Sequence, residues 1–551
     1  MVDLAEFAYK QRCEQDRFES YRWGRPWSEG DRQDEIASRA VPHIAPENEF
    51  NILRSAQLQI PRNQYRRSGM QNYRPRHTGL AAFGDLQTDE KRQNVRELER
   101  LMWQFRGNLF FSRSLGWGGQ SLASLWTWQN AAGGRRCAVL KNAIGAGRIR
   151  KSNQDTIDDE RGFLRILGRA KHIIQRFNVA NLLGSQTAGG IDDRRGILWL
   201  EWAKKGDLDS ILTAVGTAVN GRNRPRRAAN TDYVPAEVVW HIFRCLVTAC
   251  ISMAFPPRLQ AGPDQDSQFD EFGPPLPEAV PPAADPGRQQ HDIVHLDIDP
   301  NNVFVAEYDN DHPDVPIFKI ADLGASDTAN GTRVDDALPF FDTTQKWIWD
   351  IRSKGKVGHY LPEQFTSAWD RVKLYSDPFT DGITTVGNPA DVAANYGPWS
   401  NIWQIGLVLW SCMTLLEPDE PPVPKPMPGR AGANAAMQWT YGAEIMGREY
   451  IDRYGREMCE LVARCLMHRP VDRPTLDQLQ TNLDRIRPAV TSQRARTWVR
   501  RYVHDAPPAN DRLVDFDYAL QYRQGRGVVN PLMWFEPRRR NVPRERFDPF
   551  T

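Results

Sequence analysis

The stretch His295–Val303, with the sequence HLDIDPNNV, decides the fold together with Ile320–Gly324, IADLG, further along the chain. The first stretch offers a carboxylate at Asp297 and an amide at Asn302. The second offers another carboxylate, Asp322, ahead of a glycine. A carboxylate can accept a hydroxyl proton, and amide and carboxylate oxygens are hard donors that suit Mg²⁺. The two stretches therefore predict a candidate base followed by two candidate metal ligands.

Both stretches resemble the catalytic loop and the metal-binding Asp-Phe-Gly turn of eukaryotic protein kinases. The resemblance implies that Asp297 is the catalytic base, which accepts or orients the proton of the substrate hydroxyl. It also implies that Asn302 and Asp322 are the metal ligands that hold Mg²⁺ against the phosphates of ATP. His295 is expected to be a packed structural residue rather than a proton shuttle.

Residues upstream resemble the phosphate-binding elements of the same family. Gly116 and Gly118 lie in a turn that resembles the glycine-rich loop, because glycine lets backbone amides approach phosphates; a plain hairpin turn explains them equally well. Lys141, in Ala-Val-Leu-Lys, resembles the strand lysine that contacts the α- and β-phosphates. Glu160 resembles the helix partner of that lysine, with Asp159 as the competing assignment.

The stretch Leu198–Leu208 resembles the hinge between the two kinase lobes. The resemblance implies that the backbone of Glu201 and Ala203 pairs with the adenine edge and that Leu200 lines the back of the nucleotide site. Asp207 would then reach the ribose. An ordinary strand and turn would have a similar sequence, so the order of motifs along the chain favours the hinge.

Two C-terminal motifs resemble the end of the kinase activation segment and a late helix motif. Leu361–Glu363 resembles Ala-Pro-Glu, and Asp472–Thr475 contains the arginine that pairs with its glutamate in the family. A structural ion pair between Glu363 and Arg473 is therefore expected. These motifs separate protein kinases from small-molecule kinases of the aminoglycoside or choline type, which share the His-x-Asp-x-x-x-x-Asn pattern.

The chain departs from the family at several positions. Leu296 replaces the arginine on which an activating phosphate docks, and Asp299 replaces the lysine that neutralises charge on the transferred phosphoryl group. Lys356 replaces a threonine that lies beside that lysine in the kinase fold, and Asn401 replaces the central-helix aspartate. Our hypothesis is that Lys356 restores the lost cation, by pairing with Asp299 or by reaching the γ-phosphate. The alternative is a pseudokinase scaffold that binds nucleotide weakly or not at all.

The predicted architecture is an α+β, bilobal protein-kinase fold with a small antiparallel-sheet N-lobe and a larger helical C-lobe. Its predicted parts are a charged extension (1–105), a kinase domain (106–490; N-lobe 106–200, hinge 201–206, C-lobe 207–490) and an Arg-rich tail (491–551). Loop insertions are expected near 216–231, 256–289 and 364–398. The predicted early elements are strands at Phe110–Leu115, Leu122–Trp128 and Cys137–Lys141, a helix at Thr156–Lys171, and a hairpin of Val303–Tyr308 with Val315–Ile320.

Composition narrows the class of partner. The 551 residues carry a net charge of +2, which argues against a strongly basic nucleic-acid-binding protein. The longest apolar run, Ile402–Leu416, is too short to span a bilayer, so no membrane partner is expected. Seven cysteines without a C-x-x-C pair, and no secretory signal, indicate an intracellular protein with reduced thiols. The expected partners are protein substrates, phosphorylated on Ser or Thr with ATP and Mg²⁺.

Overall fold

Two units make up the described part of the chain. The computed structural model describes residues 98, 102, 109–117, 120–129, 135–145, 147–177, 195–219, 233–260, 272–282, 290–328, 354–365, 392, 395–418, 424–427, 438–486 and 493–504. The described residues of 74–155 and 178–202 form one unit, here called the sheet unit. Those of 156–177 and 203–506 form the other, here called the helical unit.

The sheet unit is built on four antiparallel strands in sequence order. They are β1 (Leu109–Trp117), β2 (Ser121–Gln129), β3 (Arg135–Ala143) and β4 (Ile197–Glu201). In β3, Ala138 and Leu140 are buried while their neighbours are more exposed, the period of two that a strand with one covered face requires. Trp126 and Trp199 meet edge to face on this covered side, with ring centroids 6.2 Å apart. The sheet is therefore held by a hydrophobic face that includes both tryptophans.

The long helix after β3 differs from its prediction. Helix α1 spans Gly147–Ile166, so it begins nine residues before the expected Thr156 and ends before Lys171. Its first half is strongly polar and therefore lacks the apolar stripe by which an amphipathic helix is predicted from sequence. The side chain of Asn153 anchors this half by donating to the carbonyl of Ile144 at 2.9 Å. The chain leaves the helix through Arg169, whose φ of 69° ends regular α-structure.

The helical unit contains the remaining elements. Its helices are α2 (Leu208–Val219), α3 (Ala236–Ala254), α4 (Pro257–Gln260), α5 (Pro362–Phe365), α6 (Pro398–Thr414), α7 (Arg448–Tyr454), α8 (Arg456–Cys465), α9 (Leu476–Arg485) and α10 (Gln493–Val499). Its short strands form three antiparallel pairs: β5 (Ile293–Val294) with β8 (Asp327–Thr328), β6 (Val303–Val305) with β7 (Phe318–Ile320), and β9 (Lys425–Met427) with β10 (Gln438–Thr440).

Helices α3 and α6 form the centre of the helical unit. Trp240 and Phe243 on α3 and Trp403 on α6 are almost fully buried. At Gly406 the helices α6 and α8 approach so closely that an added Cβ would lie 2.8 Å from the Cβ of Cys465. Among the described residues, α3 alone is long and apolar enough to cross a membrane, but 72% of it is buried inside the protein, as in a core helix.

The hairpin β6–β7 agrees with its prediction but is shorter. Val303 pairs with Ile320 and Val305 with Phe318. The segment after α1 adds to the same hairpin, because Ile174 donates to the carbonyl of Ile320 at 2.9 Å. That bond helps to explain why residues 156–177 group with the helical unit.

Part of the predicted insertion at 256–289 is packed rather than a free surface loop. Arg169 donates through Nε to the carbonyl of Pro274 at 2.7 Å, and Leu276 donates its N–H to the carbonyl of Arg169 at 3.0 Å. The side chain of Glu278 is almost completely buried. Residues 272–282 therefore lie against the segment that follows α1.

Candidate active site

The predicted base and the first predicted metal ligand are in direct contact. Asn302 donates through Nδ2 to the carbonyl of Asp297 at 2.7 Å and to its Oδ2 at 2.9 Å. Because Nδ2 is used in this way, the oxygen Oδ1 of Asn302 faces away from the Asp297 carboxylate. That oxygen is the atom of Asn302 that could bind a cation.

The other oxygen of the base is buried and accepts no hydrogen bond from the described residues. Burial raises the pKa of Asp297 to about 7; Lys356 opposes this shift, whereas Asp299 and Asp322 add to it. Three carboxylates, of which Asp299 is fully buried, thus act on one site. A cation would relieve their repulsion and lower the pKa of Asp297, so the donor set fits Mg²⁺.

Asp299 is fully buried and has two sets of partners. Its Oδ1 accepts from the backbone N–H groups of Asn301 (2.7 Å) and Asn302 (3.1 Å), so it caps the short 3₁₀ turn Pro300–Asn302. Its Oδ2 forms an ion pair with Nζ of Lys356. The carboxylate that departs from the kinase pattern is therefore a turn cap as well as a charge.

Lys356 also faces the predicted base, with its Nζ 3.8 Å from Oδ2 of Asp297. The pairing half of the compensation hypothesis agrees with the structure. The side chain remains 46% exposed, so the ammonium group stands between two carboxylates and solvent. A phosphoryl group delivered from the solvent side could reach it.

Gly355 allows the Lys356 segment to approach the stretch His295–Val303. Its φ is +96°, and a Cβ there would collide with the carbonyl oxygen of Leu296. Gln364 holds the same segment in place, because its Nε2 donates to the carbonyl of Lys354 at 2.8 Å. A residue with a side chain at position 355 would push Lys356 away from Asp299.

Helix α6 holds the backbone next to Asp297, the predicted base, in place. Asn401 accepts from the N–H of His295 at 2.9 Å and donates through Nδ2 to the carbonyl of Ile293 at 2.7 Å. Gln404, one turn later, accepts from the N–H of Ile298 at 3.4 Å. An aspartate at position 401 could make only the first of the two bonds of Asn401.

His295 is a packed residue, as expected. Its ring is fully buried, and Nε2 lies 3.0 Å from the carbonyl of Ala321. Burial lowers the pKa of His295 to about 4, so the ring is neutral near pH 7. The bond connects the stretch His295–Val303 to the residue that precedes Asp322.

Asp322 and Glu160 lie close together within the helical unit. Asp322 adopts left-handed backbone angles (φ 62°, ψ 65°), which are uncommon for residues other than glycine and cluster at functional sites. The next turn passes α1 closely: a Cβ on Gly324 would lie 3.3 Å from Oδ1 of Asp322 and 3.8 Å from Oε2 of Glu160. Glu160 is almost fully buried.

The predicted nucleotide contacts are distributed over both units. In the sheet unit, Lys141 lies opposite Ala123 and Leu198, and Leu200 and Glu201 end β4. The pairing of Lys141 with Glu160, and the contacts of Leu200 and Glu201 with the nucleotide, stay predictions. Gly116 lies within β1 rather than in a turn, and an added Cβ there would meet nothing within 4 Å.

The remaining nucleotide assignments also stay predictions. Ala203 is the first residue of the second segment of the helical unit, 203–506, and is buried. Asp207 is buried, and its Oδ1 caps α2 by accepting from the N–H of Ser210 at 2.8 Å. Gly118 lies outside the described residues.

The expected ion pair between Glu363 and Arg473 is confirmed. Arg473 donates to both oxygens of Glu363, at 2.7 and 2.9 Å, and both side chains are fully buried. Ser400, in the first turn of α6, donates to Oε1 of Glu363 at 2.9 Å, the oxygen that also accepts from Nη1 of Arg473. The pair joins α5 to the start of α6, because Arg473 also donates to the carbonyl of Trp399.

Sequence reasoning missed two residues that shape this site. Gly355 carried one usable signal, a glycine between two lysines in a segment expected to approach the base. Gln404 carried another, a polar residue in the otherwise apolar run of α6. Neither signal indicates a partner, because their partners lie far away in the sequence.

Comparison with known proteins shows a distant similarity to solved structures. The chain matches no protein-family profile and no curated protein. Among solved structures, it is similar to a chain of the CAK complex from Chaetomium thermophilum bound to ATP-gamma-S. The match has 16% identity, covers 72% of this chain and 97% of that chain, and has a TM-score of 0.40. The assignments at the site therefore depend on its own geometry.

Proposed function

We propose that the protein is a protein kinase, which transfers the γ-phosphate of Mg-ATP to Ser or Thr hydroxyls of proteins. In this proposal, the sheet unit and the helical unit correspond to the small and large lobes of a bilobal kinase fold. The observation that carries the proposal is the assembled stretch around Asp297. Its base, its amide ligand and a substitute cation, Lys356, are all in contact.

Asp297 would accept the proton of the substrate hydroxyl. Its buried Oδ1, which accepts no bond from the described residues, is the oxygen available for that hydroxyl. Asn302 holds the carboxylate in place through Oδ2. Because phosphoryl transfer requires positioning more than covalent chemistry, this fixed orientation is the contribution expected of the protein.

Asn302 and Asp322 would hold Mg²⁺, which neutralises charge on the phosphates. The Oδ1 of Asn302 and the strained Asp322 suit a hard cation. Lys356 would supply the positive charge that the family places at position 299. Its partly exposed ammonium group can serve the incoming phosphoryl group while it pairs with Asp299.

A second function, a pseudokinase scaffold, is favoured by one observation. Asp299 adds a buried negative charge beside the base, and this charge helps to raise the pKa of Asp297 to about 7. A protonated Asp297 cannot accept a hydroxyl proton. A scaffold would bind nucleotide weakly, or not at all, and act through protein contacts.

One experiment separates the two functions. Phosphate incorporation from Mg-ATP into generic protein substrates is measured for the full chain, for Asp297→Asn and for Asp477→Asn, a matched change at an exposed position of α9. The kinase proposal expects incorporation by the wild type and Asp477→Asn, and a loss of at least about 100-fold in Asp297→Asn. A Mg-ATP thermal shift without incorporation would select the scaffold. If the wild type shows no thermal shift with Mg-ATP and no phosphate incorporation, the kinase proposal is overturned.

A further inference from the structure

Three side chains of the metal-binding type converge in the interior of the helical unit. His172 comes from the segment after α1, Cys245 from the middle of α3, and His312 from the loop between β6 and β7. Their candidate ligand atoms all lie within 4.8 Å of one another, and all three residues are buried. The proposed kinase chemistry uses none of them.

Two of the three separations in this cluster match a tetrahedral metal centre. Nε2 of His172 is 3.5 Å from Nε2 of His312, and Sγ of Cys245 is 3.6 Å from the same Nε2 of His312. With Zn–N bonds of about 2.0–2.1 Å and a Zn–S bond of about 2.3 Å, a tetrahedral zinc ion separates two nitrogens by about 3.4 Å and nitrogen from sulfur by about 3.6 Å. The ligand atoms of Cys245 and His172 lie within 4.8 Å of each other, so an ion would draw these two closer together.

Both histidines are oriented by carboxylates behind them. Nδ1 of His172 lies 2.5 Å from Oε2 of Glu278, and Nδ1 of His312 lies 2.8 Å from Oδ1 of Asp309. A carboxylate can only accept, so each Nδ1 carries a proton and each Nε2 can present its lone pair to the cluster. This carboxylate–histidine arrangement is the usual outer shell of a zinc-binding histidine.

The carboxylates are themselves held in place. Glu278 accepts from Oγ of Ser252 at 2.7 Å and from the backbone N–H of His172 at 3.1 Å. Lys171 forms an ion pair with Asp309. The orientation of the cluster therefore depends on several separate segments of the helical unit, as a built site requires.

Two nitrogen lone pairs and a sulfur that face one another at these distances need a positive charge between them. A metal ion or a shared proton could supply it. A sulfur and two imidazole nitrogens are donors that suit zinc and do not suit Mg²⁺ or Ca²⁺. The buried position, on three segments far apart in sequence, suits an ion that holds a fold together.

We propose that His172, Cys245 and His312 bind one Zn²⁺ ion, which holds these three segments of the helical unit together. Binding forms one Zn–S and two Zn–N bonds and releases the thiol proton of Cys245 to solvent. The ion would join the segment after α1 and the β6–β7 loop to the core helix α3. Through Glu278 it would also order residues 272–282, so its loss would loosen this side of the helical unit.

The first test measures zinc content. The full chain is dialysed against Zn²⁺ and then against metal-free buffer, and bound metal is counted by mass spectrometry. We expect about one zinc per chain in the wild type and less than about a fifth of that in Cys245→Ser. Cys250→Ser is the matched control, a buried cysteine of the same helix outside the cluster, and should bind as the wild type does.

The second test uses Co²⁺ and does not require the Cys245 variant to fold. Tetrahedral Co²⁺ bound to a thiolate gives an intense near-ultraviolet band, expected in the wild type and in Cys250→Ser. Asp309→Asn retains every ligand but weakens the outer shell, and should lower zinc affinity about 10- to 100-fold in competition with a chelator. Wild type without stoichiometric zinc or the cobalt–thiolate band would overturn the proposal, and so would full zinc content in Cys245→Ser. The cluster would then be a proton-linked network.

Discussion

Lys356 forms an ion pair with Asp299, a fully buried residue 57 positions earlier in the chain. Both positions depart from the protein-kinase pattern, and the two departures meet in space. The added acid thus has a cation beside it. The same ammonium group is 3.8 Å from the carboxylate of Asp297, so the pair is part of the proposed catalytic centre.

The pair predicts non-additive losses of activity. Lys356→Ala should lower turnover about 100- to 1000-fold, because it leaves two carboxylates near the phosphoryl group without their cation. In an Asp299→Asn background, the same change should cost less, since the amide still caps the turn but carries no charge, and only the cation that serves the phosphoryl group is lost. Initial rates of the four proteins measure the coupling. Lys354→Ala, which removes a lysine paired with Asp327, serves as control.

The charge exchange Asp299→Lys with Lys356→Thr, which gives both positions the residues of the kinase pattern, should give a protein with lower turnover than the wild type. A lysine at position 299 cannot accept the N–H groups of Asn301 and Asn302, and it would enter a fully buried position. If Lys356→Ala leaves turnover unchanged, the compensation hypothesis is wrong.

Gly355→Ala should reproduce the loss predicted for Lys356→Ala, although the lysine remains. The new Cβ would meet the carbonyl oxygen of Leu296, and the positive φ adds strain. We also expect a lower melting temperature. Gly162→Ala in α1, where an added Cβ meets nothing within 4 Å, should instead raise the free energy of unfolding by about 0.5–1 kcal/mol. Equal behaviour of the two variants would contradict the close approach.

Asn401→Asp should destabilise the protein, although it restores the residue that kinases have. The carboxylate keeps the bond from His295 but cannot donate to the carbonyl of Ile293. We expect a loss of about 1–3 kcal/mol in urea unfolding. Asn482→Asp, the same change on the exposed face of α9, should alter the free energy by less than about 0.5 kcal/mol. A stabilised Asn401→Asp protein would refute the assigned contacts.

The buried Glu363–Arg473 pair should be costly to break. Glu363→Gln leaves the arginine charge buried without its counter-ion, and we expect a loss of about 3–5 kcal/mol in the free energy of unfolding. The exposed pair of Glu457 with Arg485 provides the comparison. Glu457→Gln should cost less than about 1 kcal/mol. Chemical denaturation of both variants measures the difference.

The raised pKa of Asp297 predicts a pH dependence of stability. A carboxyl group whose pKa is about 7 in the folded protein and about 4 when unfolded stabilises the fold fully below pH 4, and this contribution is lost as pH rises through 7. Without Mg²⁺, Asp297→Asn should therefore gain stability relative to the wild type between about pH 4 and 7. A constant difference across this range would contradict the shift.

Catalytic activity should rise with pH, whereas the stability contribution of Asp297 falls. Because Asp297 must be ionised to accept a proton, kcat/KM should rise with pH through the pKa of the free enzyme. Lys356→Ala removes the neighbour that lowers this pKa, so its rising limb should move to higher pH. A limb at the same pH in both proteins would show that another group titrates.

Local sequence determined much of this protein. The order of Asp297, Asn302 and Asp322, with β-branched residues between the last two, was enough to predict the hairpin that carries them. The pairing of Arg473 with Glu363 was predicted from the resemblance of two motifs to those of protein kinases. The hairpin, in contrast, follows from a short-range pattern in which residue type and spacing set strand and turn.

Only the tertiary structure decided the rest. The left-handed backbone of Gly355, the two bonds of Asn401 and the convergence of His172, Cys245 and His312 all join segments that are far apart in sequence. Such contacts arise when apolar surfaces pack and bring polar groups of distant elements face to face, where burial then requires each of them to find a partner. No local pattern encodes which partner that is.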